Sequence, residues 1–273
     1  MKSLLVHCWR GNDRIKNLGE WFIDVIFAKL GYTARYYPAQ RREPDEPCLL
    51  VIGSDCRREL FDPLLAECSE VWVWGQGYGW GTPVPVTDPR YAERVRVFAL
   101  RGPITAKLCD VRGVPLCDPG FLMPWALPIE RITSRGRAND VLYIPHWEER
   151  GTARERLAAM GATDFIDVLM TGENVVLTIE RIIGADFVLT STLHTMILCL
   201  AYRVPCALHL PKGRAETNMP KKWCDVFATM NTDPPPSALD LADGMDWWRS
   251  TGRHLKLPDT QPLLNAFPHE LAR

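Results

Sequence analysis

No apolar run in the 273-residue chain reaches the roughly 20 residues that a membrane-spanning helix needs. The nine cysteines include no CxxC pair, the histidines show no HxxxH spacing, and no carboxylate cluster appears. We therefore expect no metal site. An odd number of cysteines without a secretory signal indicates reduced thiols in a cytoplasmic protein, most of them acting as small buried hydrophobic groups.

The sequence also has almost no net charge, because the formal value at pH 7 is −1. Such a chain carries no overall field that would attract nucleic acid or an anionic membrane. The opening residues MKSLLVHCW form too short an apolar run for a signal peptide and are typical of a strand. We expect a globular protein without a nucleic-acid partner.

Short apolar segments alternate with helical patterns along the whole chain, which is typical of an α/β fold with parallel sheets. We predict two Rossmann-like domains, 1–128 and 129–273, that face each other across a cleft and end in a closing C-terminal helix. A segment rich in Pro, Arg, Gly and Ser, 124–139, is the expected linker. The predicted strands are 2–9, 32–37, 48–52, 70–74, 94–100, 114–117, 140–144, 165–169, 187–189 and 206–210, and helices are predicted at 20–30, 61–68, 104–109, 154–160, 174–183 and 263–271.

The segment 185–210, ADFVLTSTLHTMILCLAYRVPCALHL, has the pattern of a strand, a tight loop, a helix and a second strand. Ser191 is the predicted N-cap of this helix. His194 then lies where a strand ends and a helix begins, a position at which open parallel sheets bind ligands and helix amides favour an anion. The alternative is a histidine that only caps or packs the helix.

Arg101 occupies a similar position, since it follows the predicted strand 94–100 and precedes Gly102-Pro103 at a helix start. A guanidinium there can hold a carboxylate or phosphate with two hydrogen bonds, and the alternative is an ion pair between domains. Asp118 follows the strand 114–117 and either orients a loop or acts on the substrate. The glycine-rich run 75–81 is a weak phosphate-loop candidate or a flexible surface loop.

Five short motifs, in order along the chain, resemble those of the polysaccharide pyruvyl transferases. The C-terminal Ala266-Phe267-Pro268 and the overall length are most similar to the ketal pyruvate transferases of xanthan-type exopolysaccharide assembly. This resemblance implies a two-domain fold of GT-B type. The motifs are Asn17-Leu18-Gly19-Glu20, Leu100-Arg101-Gly102-Pro103, Cys117-Asp118-Pro119-Gly120, Ile144-Pro145-His146 and Thr190-Ser191-Thr192-Leu193-His194.

The chain departs from the family pattern at four positions. Glu20 replaces an aspartate, Cys117 replaces a glycine, and Thr195 replaces a common glycine. Thr192 stands where many members have an arginine. The second positive charge that would bind phosphoenolpyruvate, the donor substrate in this family, must then come from elsewhere. The candidates are Lys212, Arg214, Lys221 and Lys222.

The resemblance implies transfer of pyruvate from phosphoenolpyruvate to a sugar as a ketal, without a further cofactor. Fixed anion-binding groups and one acid are needed together for such a reaction. His194 is expected as the general acid or a phosphate ligand, and His146 as a contact to phosphate or sugar. The expected catalytic residues are His194, Glu20 and Asp118, and the expected substrate-binding residues are Arg101, His146, Ser191, Thr192, Asn17, Lys212 and Arg214.

The expected acceptor is a saccharide, in this family a lipid-linked one, so we predict a cytoplasmic protein with a peripheral contact at the inner face of the plasma membrane. Two other functions fit the same sequence. One is a GT-B glycosyltransferase that uses a nucleotide sugar, with Glu216 on the ribose hydroxyls. The other is a non-catalytic carbohydrate-binding relative, which the departure at Thr192 suggests.

Overall fold

Two parallel sheets organise this computed structural model, which describes residues 2–9, 16–37, 46–129, 140–170, 175–210 and 221–272. The strands are β1 (Lys2–His7), β2 (Lys16–Asn17), β3 (Tyr32–Tyr36), β4 (Cys48–Leu50), β5 (Val71–Gln76), β6 (Val95–Leu100), β7 (Val141–Ile144), β8 (Asp164–Phe165), β9 (Leu169–Met170), β10 (Phe187–Thr190) and β11 (Cys206–Leu208). The first sheet has the order β3-β1-β4-β5-β6 and the second β11-β10-β7-β8, while β2 pairs antiparallel with β9.

Helices alternate with these strands in both parts of the chain. They are α1 (Leu18–Leu30), α2 (Arg58–Glu67), α3 (Pro103–Leu108), α4 (Met123–Ala126), α5 (Arg150–Met160), α6 (Val175–Gly184), α7 (Leu193–Ala201), α8 (Lys221–Ala228), α9 (Leu241–Ser250) and α10 (Gln261–Asn265). Short 3₁₀ helices cover Pro119–Leu122, Trp147–Glu149, Gly252–His254 and His269–Ala272. The α/β class with parallel sheets is confirmed, whereas the GT-B arrangement and the boundary at 128/129 stay predictions. Most of the predicted linker lies outside the described residues.

Local signals in the sequence account for α1. The Asn17 side chain accepts a hydrogen bond from the backbone N–H of Gly19 at 3.1 Å and so caps the first turn. Gly31 ends the helix in the left-handed region at φ 87°, directly after the predicted helix end at residue 30. Phe22 and Ile26 belong to the buried face that packs on the first sheet. The helix begins at Leu18, two residues earlier than predicted, because the cap lies at Asn17.

Three further predicted elements are split, reduced or interrupted in the structure. The predicted strand 165–169 is split into β8 and β9, since the Asp167 carboxylate accepts from the Leu169 N–H at 2.9 Å and turns the chain out of the second sheet. The predicted strand 114–117 forms a single bridge to Leu100. The predicted closing helix is interrupted at Pro268, between α10 and a 3₁₀ turn, because proline cannot donate to a continuing helix.

The end of the chain returns to the first sheet. Phe267 is buried and packs edge-on against Trp74, with ring centres 5.0 Å apart, and against Phe27 and Tyr32. The Trp74 indole N–H donates to the backbone oxygen of Leu263 at 2.9 Å. The Ala266-Phe267-Pro268 segment therefore ties the last residues to the first half of the chain.

One continuous apolar cluster contains residues of both sheets. Between the sheets, α1, α7 and the Pro119–Leu122 turn pack against one another. All nine cysteines lie within the described ranges, and eight of them are buried, as the sequence predicted. Among the helices that the structure describes, none combines the length and apolar character needed to cross a bilayer.

The helices α3 and α8 join the two halves at a point of very close approach. Gly102, the N-cap of α3, lies directly against the backbone carbonyl of Asp225 in α8. A methyl group on Gly102 would collide with that carbonyl oxygen. Only glycine fits this position without moving one helix away from the other.

We expect Gly102→Ala to lower the free energy of unfolding by about 3 kcal/mol or more, because the colliding atom is backbone and has no rotamer to escape into. Thermal and urea unfolding measure this. Gly151→Ala is the matched control, since Gly151 is exposed in α5 and a methyl group there meets no described atom within 4 Å. The control should be neutral or stabilise by up to about 1 kcal/mol. Equal stability of the two variants would contradict the close packing.

Candidate active site

His194 lies in the first turn of α7, directly after β10, as the sequence predicted. The N-cap is Thr192 rather than Ser191, because Thr192 keeps extended dihedral angles while the helix starts at Leu193. The imidazole rests against the first turn of α1, where a side chain on Gly19 would overlap the ring. The Phe22 ring meets it edge-on at 6.4 Å. The glycine in the first motif thus makes room for the histidine in the last.

Asp118 faces His194 from the 3₁₀ turn between the sheets. Its Oδ1 accepts a hydrogen bond from the Gly120 N–H at 2.8 Å and so caps that turn. Its Oδ2 is buried and lies 3.9 Å from Nε2 of His194, too far for a hydrogen bond. Neither of these two atoms has a hydrogen-bond partner among the described residues. Unsatisfied buried polar atoms are costly and often mark a functional site.

Burial sets the proton affinities of this pair. It lowers the pKa of His194 to about 3, and the positive charges of Arg101 and Lys222 act in the same direction. Burial raises the pKa of Asp118 to about 6, although the Gly120 N–H and Arg101 oppose the rise. The imidazole is therefore neutral at pH 7, and the carboxyl takes up a proton more readily than the histidine does.

Arg101 is completely buried. Its Nε donates to Asp225 Oδ2 at 3.0 Å, its Nη1 donates to the Gly53 carbonyl at 3.0 Å and to Ser54 Oγ at 2.7 Å, and its Nη2 donates to the Tyr78 carbonyl. This is the ion pair between the two halves that the sequence left as an alternative. Substrate binding by Arg101 stays a prediction, since four of its bonds are made within the protein.

Asp225 completes the arrangement from α8. Its Oδ1 accepts from the Thr105 N–H at 2.9 Å, and Oδ2 accepts from the Thr105 hydroxyl. The N-cap of α3, Gly102, offers no side chain, so Asp225 caps this helix from the other half of the chain. The carboxylate thereby neutralises Arg101 and satisfies a helix amide at once.

The glycine-rich run packs around the same guanidinium. Gly75 to Tyr78 are buried, and a side chain on Gly77 would overlap the Arg101 guanidinium. Gly75 has φ 79° and lies against Pro119, so it needs both the left-handed conformation and the missing Cβ. For these four residues, the surface-loop interpretation is wrong.

The remaining motif residues of the second half fix the neighbouring loops. Ser191 Oγ donates to Glu149 Oε2 at 2.7 Å and accepts from the His146 N–H at 2.7 Å. The Thr192 hydroxyl bonds with those of Thr190 and Thr195. The His146 ring lies beside Trp147, with Nδ1 3.6 Å from Glu148 Oε2. The predicted residues His146, Ser191 and Thr192 therefore lie at the ends of two adjacent strands, β7 and β10.

The structure brings His194 and Asp118 together, and it places Asn17 and Glu20 at the start of α1, where Gly19 lies against the His194 ring. Glu20 is buried in the first turn of α1, and the Asn17 oxygen is used in capping that helix. Lys222 is the second residue of α8, after the other candidate cation Lys221, and its charge acts on His194. The other predicted residues, Lys212 and Arg214, and the alternative Glu216, lie outside the described residues.

Three polar residues at this edge were not found from the sequence. Asp225 stands alone in an apolar helical segment, a pattern that indicates a buried carboxylate. Gln76 is the last residue of β5 and fully buried, and His7 ends β1. The carboxyl-terminal position of these strands was the signal available for the last two.

Two cavities in the second half of the chain are lined by residues outside the five motifs. One of about 470 Å³ lies where α9 covers the amino ends of β7 and β10, with Trp248 and Arg253 in its wall. A wider one of about 940 Å³ lies at the other side of α9. Neither contains a motif residue, so the convergence of buried polar groups, and not cavity volume, identifies the candidate site.

No family model matches the chain. Over 174 residues it is 26% identical to the succinoglycan biosynthesis protein ExoV of Rhizobium meliloti (strain 1021), an alignment covering 62% of this chain and 50% of the relative. The chain thus spans about half the length of the curated relative it matches. Among solved structures, the uncharacterized protein KP1_0663 of Klebsiella pneumoniae subsp. pneumoniae NTUH-K2044 aligns over 79% of this chain and 85% of its own, at 13% identity and a TM-score of 0.44. That score is too low to support an argument about the fold.

Asp118→Asn tests the buried carboxyl. Burial raises the folded-state pKa of Asp118 to about 6, above its usual value of 3.8, so the wild type has this stability contribution in full below pH 3.8 and loses it as the pH rises through 6. The asparagine keeps the Oδ1 acceptor for Gly120 and never ionises. When the pH is raised from 4 to 7.5, we expect the free energy of unfolding of the variant to increase by about 3 kcal/mol relative to that of the wild type. Urea unfolding at the two pH values measures this change.

The His194 contribution has the opposite sign, since its lowered pKa of about 3 gives stability that is present above pH 6.5 and lost as the pH falls toward 3. It is common to wild type and variant and cancels in the difference. A stability difference that is independent of pH would contradict the raised pKa of Asp118.

Proposed function

We propose that this protein transfers pyruvate from phosphoenolpyruvate to a sugar of an exopolysaccharide, or of its lipid-linked repeat unit, with formation of a pyruvate ketal and release of phosphate. The observation that carries the proposal is the meeting of distant motifs at one buried polar cluster, with Gly19 against His194 and His194 facing Asp118. The similarity to a succinoglycan biosynthesis protein supports an exopolysaccharide context.

The electrostatics of the cluster suit an anionic donor. The N-termini of α1, α7 and the Pro119–Leu122 turn meet there, and each helix end carries partial positive charge. Lys222 and Arg101 add full positive charges that act on His194. Phosphoenolpyruvate carries a carboxylate and a phosphate, so its binding removes much of the repulsion between these groups. Lys222 supplies the second cation that Thr192 does not.

The reaction needs one proton placed on the methylene carbon and two hydroxyl groups added at C2. One hydroxyl oxygen attacks C2 as C3 becomes a methyl group, the C2–O bond to phosphate then breaks, and the second hydroxyl closes the ketal. Of the two hydroxyl protons, one replaces the proton delivered to C3 and the other leaves on the phosphate. Fixed groups that favour the charge developing at C2 accelerate both additions.

His194 and Asp118 are the residues proposed to hold the proton. Without substrate the imidazole is neutral, and a bound polyanion raises its pKa toward the physiological range. The neighbouring Asp118, with a pKa of about 6, takes and returns a proton at pH 7 with little cost. Arg101, held by Asp225, contributes its charge. We further propose a cytoplasmic location with peripheral membrane contact, as lipid-linked acceptors require.

The reaction itself is tested by incubating the protein with phosphoenolpyruvate and a panel of oligosaccharides, and measuring phosphate and the ketal methyl group by NMR. We expect both products in equal amounts. Sugar transfer from a nucleotide sugar instead would support the glycosyltransferase alternative. Saccharide binding without either reaction would support the non-catalytic one.

His194→Gln tests the acid, because glutamine keeps a hydrogen-bond donor and delivers no proton. An acid role predicts that kcat falls about 10²–10⁴-fold with the melting temperature held. A phosphate ligand predicts a higher KM for phosphoenolpyruvate at unchanged kcat. The control is His254→Gln, at an exposed histidine, which should change neither. A loss of stability alone would remove His194 from the chemistry.

A further inference from the structure

A second polar cluster lies at the carboxyl ends of β1, β4 and β5. It consists of His7, Asp55 and Gln76, and none of these belongs to a motif. His7 Nε2 lies 4.0 Å from Asp55 Oδ2. A Cβ on Gly53, which has φ 123°, would lie 3.2 Å from Gln76 Oε1 and 3.8 Å from Asp55 Oδ2. The amide and the carboxylate therefore border the same glycine, and the imidazole lies 4.0 Å from the same carboxylate oxygen.

The amide of Gln76 is unusual in its surroundings. The side chain is fully buried, and neither Oε1 nor Nε2 has a hydrogen-bond partner in the described ranges. The same holds for Nδ1 of His7. Each buried polar atom without a partner destabilises the fold by roughly 1–3 kcal/mol. Packing alone would favour an apolar residue at position 76, so the amide is retained for another reason.

The chemistry of the three groups fits a neutral polyol. An amide offers both a donor and an acceptor, as a sugar hydroxyl does, and a neutral imidazole adds one of each. Asp55 disfavours an anion, and its nearest described cation, Arg57, is already engaged with it at 3.2 Å. We propose that His7, Asp55 and Gln76 bind the hydroxyl groups of the acceptor sugar, with His7 as the base for the attacking hydroxyl. This rests on the proposed pyruvyl transfer.

The proton transfer follows from the arrangement. Nε2 of His7 lies 4.0 Å from Asp55 Oδ2, too far for a hydrogen bond, and in the proposed step it carries the ring proton, which leaves the lone pair of Nδ1 for a substrate hydroxyl. The sugar O–H bond breaks, its proton passes to Nδ1, and the oxygen electron pair forms the bond to C2 of phosphoenolpyruvate. The C2=C3 electron pair meanwhile takes the proton held at His194 and Asp118 to form the methyl group. Asp55 then stabilises the imidazolium.

The pKa of His7 lies below its ordinary value, and burial is the largest cause. The charge of Asp55 opposes this shift, and that of Arg57 adds to it. The imidazole is thus neutral at pH 7 and able to accept a proton. The ring of Tyr37 also faces it, with centroids 6.1 Å apart.

An aromatic pair lies beside this cluster. Trp9, two residues after His7, is 41% exposed and stacks on Trp147 of the second half, with ring centres 5.6 Å apart. Flat indole faces are suitable surfaces for the apolar face of a sugar ring. The pair joins the loop after β1 to the loop after β7, so a sugar held there would lie near both His7 and His146.

Gln76→Met is the decisive variant, because methionine has a similar shape and no polar amide. We expect an unchanged or higher melting temperature, a KM for the acceptor at least about 10-fold higher, and an unchanged KM for phosphoenolpyruvate. His7→Asn keeps a polar group and cannot accept the proton, so kcat should fall about 10²–10⁴-fold. The control is His254→Asn, at an exposed site in the second half.

One further experiment separates the proposed pyruvyl transfer from the proposed sugar site. Saturation-transfer NMR without phosphoenolpyruvate measures the binding of methyl glucoside, methyl galactoside and methyl mannoside. If the wild type forms no ketal but binds a glycoside that Gln76→Met does not, the function proposed above fails and the sugar site stands. If ketal forms and the variant keeps the wild-type acceptor KM, the sugar site is wrong. A marked loss of stability in Gln76→Met makes the amide structural and overturns the site, as does absence of both ketal and glycoside binding in the wild type.

Discussion

The buried pair of Arg101 and Asp225 is the interaction on which the relation of the two halves depends. Two charges withdrawn from water cost several kcal/mol each unless their hydrogen-bonding capacity is satisfied. Here the guanidinium makes four bonds and the carboxylate accepts three, including the first-turn amide of α3. The required proximity explains two glycines, because side chains on Gly77 and Gly102 would occupy the space of the pair. A single ion pair thus determines the local sequence at Gly77 and at Gly102.

The same pair influences the candidate chemistry. The charge of Arg101 lowers the pKa of His194 and of Asp118, and Asp225 raises that of Asp118. A residue that touches neither atom of the facing pair therefore weakens proton binding at both of them, although burial is the larger cause of each pKa shift. In the proposed mechanism, Arg101 serves the site through its charge while its donors are used inside the protein. The proposed activity and the joining of the halves therefore depend on the same guanidinium.

Local features were predictable because their causes are local. The cap at Asn17, the left-handed Gly31 and the placement of His194 after β10 each depend on a few adjacent residues. The partner of Arg101 was not predictable, since Asp225 lies 124 positions away and only the folded chain joins them. The burial of Gln76 was missed for a related reason. A glutamine after an apolar strand is compatible with either exposure or burial, and tertiary packing decides between them.

The two polar clusters differ in a way that matches a reaction with two unlike substrates. At His194, helix ends and the charges of Lys222 and Arg101 favour an anion. At Gln76, an amide and an imidazole beside the Asp55 carboxylate favour a neutral polyol and disfavour an anion. Both clusters contain buried atoms without partners among the described residues, which folding stability alone would remove. In the proposed reaction, the donor that needs a proton and the acceptor that must lose one are therefore assigned to separate groups, and neither histidine has to perform both steps.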